Sequence, residues 1–153
     1  MILSYVEAKL PVFFAVPGIK LGLTNIVVLL ALYMMGNKSA IAINIIRIFL
    51  VSILFGTAMS LAYSLAGGLL SGLVMIALKR TGRFRMMTVS VAGAVAHNIG
   101  QILVAAFLLG TSAVLWYMLI LWFAGIAGGL VIGFLGGQLC ARLEKSHIGD
   151  LFK

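Results

Sequence analysis

Residues 88–109 read TVSVAGAVAHNIGQILVAAFLL, an apolar run without a single Lys, Arg, Asp or Glu. A helix needs about 20 predominantly apolar residues to cross a bilayer, and this run supplies them. Three strongly polar side chains cluster inside it: His97, Asn98 and Gln101. A helix in hydrocarbon carries such groups only where they meet another helix, a cavity or a ligand. The stretch therefore points to a membrane span and to a polar patch within that span.

Working outward, comparable runs occupy residues 21–35, 39–55, 57–78 and 113–141. Of the 153 residues 63% are hydrophobic and only 9% are charged, against about 25% charged in a soluble domain. The mean hydropathy is +1.23. These values predict an all-α integral membrane protein, a compact bundle of five to six transmembrane helices in one domain over residues 1–153. Met1 to Ala8 is apolar but too short to span, and reads as the end of a truncated first helix. It is not followed by a small-residue cleavage site, so it does not resemble a signal peptide. Lys9 to Lys20 contains both prolines, Pro11 and Pro17, and is expected to be a loop with a Pro17–Gly18 turn. Cys140 is the only cysteine, which excludes a disulfide framework and a cysteine metal cluster.

The net charge of +8 follows the loops rather than a nucleic-acid surface. Lys38, Lys79, Arg80, Arg83, Arg85, Arg142, Lys145 and Lys153 fall in three segments that alternate onto one side. Lys9 and Lys20 fall on the other. The positive-inside rule then places the C-terminus and the Lys79–Arg85 loop in the cytoplasm of a multi-pass cell-membrane protein. Trp116 and Tyr117 come to the outer interface, where aromatic side chains gather.

The polar residues within the spans are the candidate ligand-binding set: Lys20, Asn25, Arg47, Tyr63, Ser64, His97, Asn98 and Gln101. Asn44 lies one turn before Arg47. His97 and Gln101 are four apart and share a helix face. Counting 1.5 Å per residue, Asn25 lies roughly 7 Å below Lys20, Tyr63 roughly 9 Å and Gln101 roughly 12 Å from the outer ends of their spans. Arg47 and His97 fall near the midplane. The expectation is one cavity open to the outside. No Asp or Glu lies in a span, so Arg47 must be met by carbonyls, neutral side chains, water or an anionic ligand. The competing account is structural: Asn, Gln, Ser and Tyr also bond membrane helices together, and Lys20 also reaches lipid phosphates by snorkelling.

Small residues form two ridges, Gly125, Gly129, Gly133 and Gly137 in one span and Ser60, Ser64, Gly68 and Gly72 in another. Each is a flat stripe for close helix packing. Gly36-Asn37-Lys38-Ser39 lacks the spacing of a phosphate-binding loop, so no ATPase is expected in this chain. The three acidic residues are too few and too scattered to hold Mg²⁺ on a diphosphate. A carboxylate proton relay and a bis-histidine haem are excluded in the same way. The chain is expected to be no enzyme, with no cofactor and no metal.

Pro17-Gly18-Ile19-Lys20-Leu21-Gly22-Leu23-Thr24-Asn25, Tyr63-Ser64-Leu65-Ala66-Gly67-Gly68 and Ala96-His97-Asn98-Ile99-Gly100-Gln101 together resemble the Gx transporter family. Its members are commonly labelled heptaprenyl diphosphate synthase component I. The resemblance covers nearly the whole chain from Leu3. The family is similar to the substrate-binding S components of energy-coupling factor (ECF) transporters, six-helix membrane proteins that bind a micronutrient near their outer face. The resemblance implies an S-component-like fold, a small-molecule ligand, and a separate energising membrane subunit with ATPases. Family members usually carry a full first helix, which in S components helps dock that subunit; here most of it is missing. The rival function is a non-catalytic membrane subunit, associated with prenyl diphosphate or quinone synthesis or with a membrane redox complex. The lipid bilayer is a partner on either account; nucleic acid is not.

The charge asymmetry sets a test of topology. An impermeant thiol reagent applied to intact cells should label Ser112→Cys and leave Gly82→Cys unmodified. The reverse pattern would invert the assigned orientation.

Overall fold

The computed structural model describes residues 25–55, 58–110 and 113–146. Five helices account for almost all of them: α1 (Asn25–Met34), α2 (Asn37–Phe55), α3 (Ala58–Thr81), α4 (Met86–Leu109) and α5 (Ala113–Lys145). Among the described residues three segments are long and apolar enough to cross a membrane: Leu61–Thr81, Met86–Leu108 and Met118–Lys145. Helix α3 runs past the expected span end to Thr81, and α5 runs on to Lys145. The extensions carry Lys79 and Arg80, and Arg142 and Lys145. Basic side chains favour the negative end of a helix dipole, so these turns stay helical beyond the apolar run.

The α1–α2 connection is tight. Gly36 closes the α1–α2 turn at φ +92°, a conformation that side chains with a Cβ rarely adopt. Its N–H donates to the Ala31 carbonyl, which satisfies one of the orphan carbonyls at the end of α1. The segment that faintly resembles a phosphate loop is thus a helix–helix turn.

Helix α4 is the centre of the packing, lying along both α3 and α5. Helix α2 packs on α3, and α1 touches α2, α5 and α3, which closes a ring. The shortest helix is also deeply buried: Leu29 and Leu32 of α1 are almost wholly enclosed. Around them gather Ala40, Met75, Val89 and Ile132, one from each other helix. A second cluster of Tyr63, Ile102, Ala105 and Leu121 joins α3, α4 and α5 nearer their other end. Phe107 and Phe123 point outward, mostly exposed, as suits a surface whose solvent is lipid.

Lys79 is not a loop charge. Its Nζ donates to the Leu32 carbonyl in the last turn of α1, and it stands 5.1 Å from the centroid of the Tyr33 ring. One cation thus caps α1 and ties it to α3.

Glycines set the distance between α4 and α5. A Cβ added to Gly129 would lie 2.6 Å from Val91 Cα, and one on Gly133 would lie 2.8 Å from Met87 Cα. Ser90 Oγ donates to the Gly129 carbonyl at 2.8 Å, across the same contact. Gly125 makes room for the Asn98 side chain. Gly137 differs from the other three, since a Cβ there would meet nothing within 4 Å. Each step along the ridge moves one turn back along α4, from Val91 to Met87, so Gly137 falls beyond the start of α4 at Met86. On α3 the ridge residues Gly68 and Gly72 face Asn44 of α2, while Gly67, outside the ridge, faces α4.

Gly129→Ala should therefore lower stability by about 1–3 kcal/mol, because the methyl meets backbone that cannot move aside cheaply. Gly137→Ala should leave stability unchanged or slightly raised. Thermal unfolding in detergent separates the two, and equal melting temperatures would refute the packing account.

Candidate functional site

The polar patch on α4 divides between two faces. Asn98 turns to α5, where Nδ2 donates to the Leu121 carbonyl at 2.7 Å. That side chain is an interhelical bond. His97 and Gln101 turn to α3. A Cβ on Gly67 would lie 2.8 Å from the His97 carbonyl oxygen, 3.0 Å from Gln101 Cγ and 3.0 Å from His97 Nδ1. One on Gly100 would lie 2.7 Å from the Ala66 carbonyl oxygen and 2.8 Å from Gly67 Cα. The backbones of α3 and α4 touch at this crossing, and glycine on both sides permits it.

Gln101 sits at the crossing and is 1% exposed. Neither its Nε2 nor its Oε1 has a hydrogen-bond partner. Ser71 Oγ on α3 and Asn25 Nδ2 on α1 are buried and unpartnered as well. Each such group costs about 1–3 kcal/mol when left unsatisfied. Native interiors leave few of them, and a bound water or ion usually satisfies those that remain. Together these side chains offer neutral donors and acceptors.

Arg47 is half-buried on α2 and its Nη2 donates to Asn44 Oδ1 at 2.9 Å. Asn44 Nδ2 in turn donates to the Gly68 carbonyl at 2.8 Å. Asn44 thus couples the guanidinium to the backbone of α3. The sequence placed Asn44 beside Arg47 but outside the ligand set; the three-residue spacing was the available signal of their contact. Tyr63 is buried in the apolar cluster with Ile102 and Leu121, and Ser64 is half-buried nearby. Lys20 lies outside the described residues, as does the Pro11–Lys20 loop.

The ends of the helices that carry Lys38, Lys79–Arg85 and Arg142 form the basic end. Measured from it at 1.5 Å per residue, Asn25, Arg47, Ser71 and His97 lie roughly 13–17 Å up, and Gln101 and Tyr63 roughly 22–27 Å up. The first four are at mid-bundle and the last two farther from the basic end. A cavity of about 70 Å³ opens elsewhere, between α1, α2 and α3 in the basic half. None of the eight candidate ligand residues lines it, and Asn44 is its one polar side chain. This cavity is thus distinct from the polar set, and at the α3–α4 crossing Gly67 and Gly100 bring the two backbones into close contact. Among the described residues no three His, Cys, Asp or Glu side chains gather where a metal ion would bind.

The family described as Heptaprenyl diphosphate synthase component I aligns with residues 1–139. No curated protein and no solved structure matches.

The unsatisfied amide makes a prediction about stability. Gln101→Leu, of similar shape, should raise ligand-free stability by about 1–3 kcal/mol, because it removes two unpaired polar atoms from the interior. A lowered melting temperature in detergent would show that Gln101 holds the helices together.

Proposed function

We propose, from the premise that the chain belongs to the heptaprenyl diphosphate synthase component I family, that it is a substrate-binding membrane subunit of an ECF-type transporter. It takes up a small polar or anionic ligand, micronutrient-like in size, from the face opposite the basic end. A separate membrane subunit with ATPases supplies the energy. The observation that carries this reading is Gln101, with both amide atoms unpartnered in a nearly inaccessible position. Ser71 and Asn25 add unpartnered atoms from two further helices. A ligand that bonded to them would recover the desolvation they have already lost. His97 shares the α4 face with Gln101, and the Arg47–Asn44 pair adds positive charge from α2. Opening the α3–α4 crossing admits the ligand.

A second reading has its own support. The family's description names a synthase component, which favours a non-catalytic membrane partner of a soluble prenyl diphosphate synthase. The exposed Phe84 between Arg83 and Arg85 at the basic end offers a surface for it.

Mass spectrometry of small molecules released from the purified protein separates the readings. The transporter reading expects a polar or anionic compound that raises the melting temperature when added back. Arg47→Met and Gln101→Leu should each weaken it about ten- to a hundredfold, the worth of one charge-assisted hydrogen bond. Recovery of a stable complex with a soluble synthase, and of no such compound, would favour the second reading and sink the first.

A further inference from the structure

The cavity between α1, α2 and α3 has a different chemistry from the polar crossing. Its one polar side chain, Asn44, already bonds the Gly68 carbonyl and Arg47, and the rest of the cleft is lined by hydrocarbon. Its walls are aliphatic, with Ile41 and Ile45 from α2 and Leu69, Leu73 and Ile76 from α3. Leu73 is 65% exposed, and Ile41 and Leu69 are exposed as well. The cleft therefore opens sideways, on the surface that faces lipid.

Each aliphatic wall ends in a cation. Lys38, Ile41 and Ile45 are three and four residues apart and share one face of α2. Leu69, Leu73, Ile76 and Arg80 repeat the same spacing on α3, with Arg80 at the end. Lys38 and Arg80 are both exposed and both stand at the basic end. An apolar slot that faces lipid and ends in two cations matches an amphiphile with one anionic head.

We infer that this cleft binds an anionic phospholipid of the surrounding leaflet. Part of one acyl chain lies in the slot beside Leu73 and Gly72, and the phosphate lies at Lys38 and Arg80. The charge match favours a head of net negative charge over a zwitterionic one, and basic pockets between helices recognise anionic heads in this way. The phospholipid is favoured over other amphiphiles because the opening faces the bilayer, where it is the bulk component. This site is separate from the α3–α4 crossing and does not depend on the transporter reading.

The test is native mass spectrometry of the full chain with phosphatidylglycerol or phosphatidylcholine of equal chain length. The wild type should retain phosphatidylglycerol roughly tenfold better, as two cations near a lipid head would give. The double variant K38Q/R80Q should lose that preference, while R83Q/R85Q, with the same net charge, should keep it. Gly72→Leu should reduce retention of both lipids. A Cβ at Gly72 meets only Asn44 Nδ2, at 3.5 Å, so the substitution fills the cleft without a backbone clash. Equal retention of the two lipids by the wild type, or an unchanged preference in K38Q/R80Q, would overturn the proposal. So would a polyprenyl diphosphate that displaces phosphatidylglycerol and is held more tightly. If Gly72→Leu fails to fold, the two charge variants decide the matter alone.

Discussion

The backbone contact of α3 and α4 at Gly67 and Gly100 governs the rest of the molecule. In lipid there is no hydrophobic force to push helices together, so association rests on close van der Waals packing and interhelical hydrogen bonds. Glycine at the crossing lets the two backbones touch. Gly129 and Gly133 do the same for α4 and α5. Helix α4 is therefore gripped on two sides, and whatever polar groups it carries are carried into a dry interior. The rotation of α4 that satisfies Asn98 on the Leu121 carbonyl also points Gln101 at Gly67, away from any partner in the described chain.

Two environments result. At the α3–α4 crossing Gln101 has more polar atoms than bonds. Between α1, α2 and α3 the one polar side chain, Asn44, is bonded to its neighbours, and the remaining walls are hydrocarbon. The same bundle thus separates a polar crossing from an apolar cleft. Lys79, which holds α1 against α3 through Leu32 and Tyr33, keeps the second of these in shape, because Leu32 and Ile76 both line it.

The sequence made the membrane character and the helical bundle legible, because hydropathy over about 20 residues is insensitive to detail. Membership of the family was legible too, through the PGIKLGLTN and HNIGQ segments. Side-chain direction was less so. Asn98 and Gln101 look alike in a list of polar residues, yet one is bonded to α5 and the other is unpartnered against α3; only helix rotation distinguishes them. Gly125, Gly129, Gly133 and Gly137 look alike as a ridge, yet the last lies in open space, because ridge periodicity does not report where the partner helix begins. Gly67 was hidden beside a more regular ridge. Lys79 was read as one of a set of loop charges, since a hydrogen bond to a carbonyl distant in sequence leaves no local pattern.

The most direct measurement is an experimental structure of the protein purified with its co-purifying small molecule. The distance from the Gln101 amide atoms to the nearest polar atom outside the protein carries the answer. The account predicts a ligand atom at hydrogen-bond distance, about 2.7–3.2 Å, with Gly67 and Gly100 moved apart to admit it. Gln101 bonded instead to a carbonyl or side chain of the protein, with the α3–α4 crossing still closed over a bound ligand elsewhere, would contradict it.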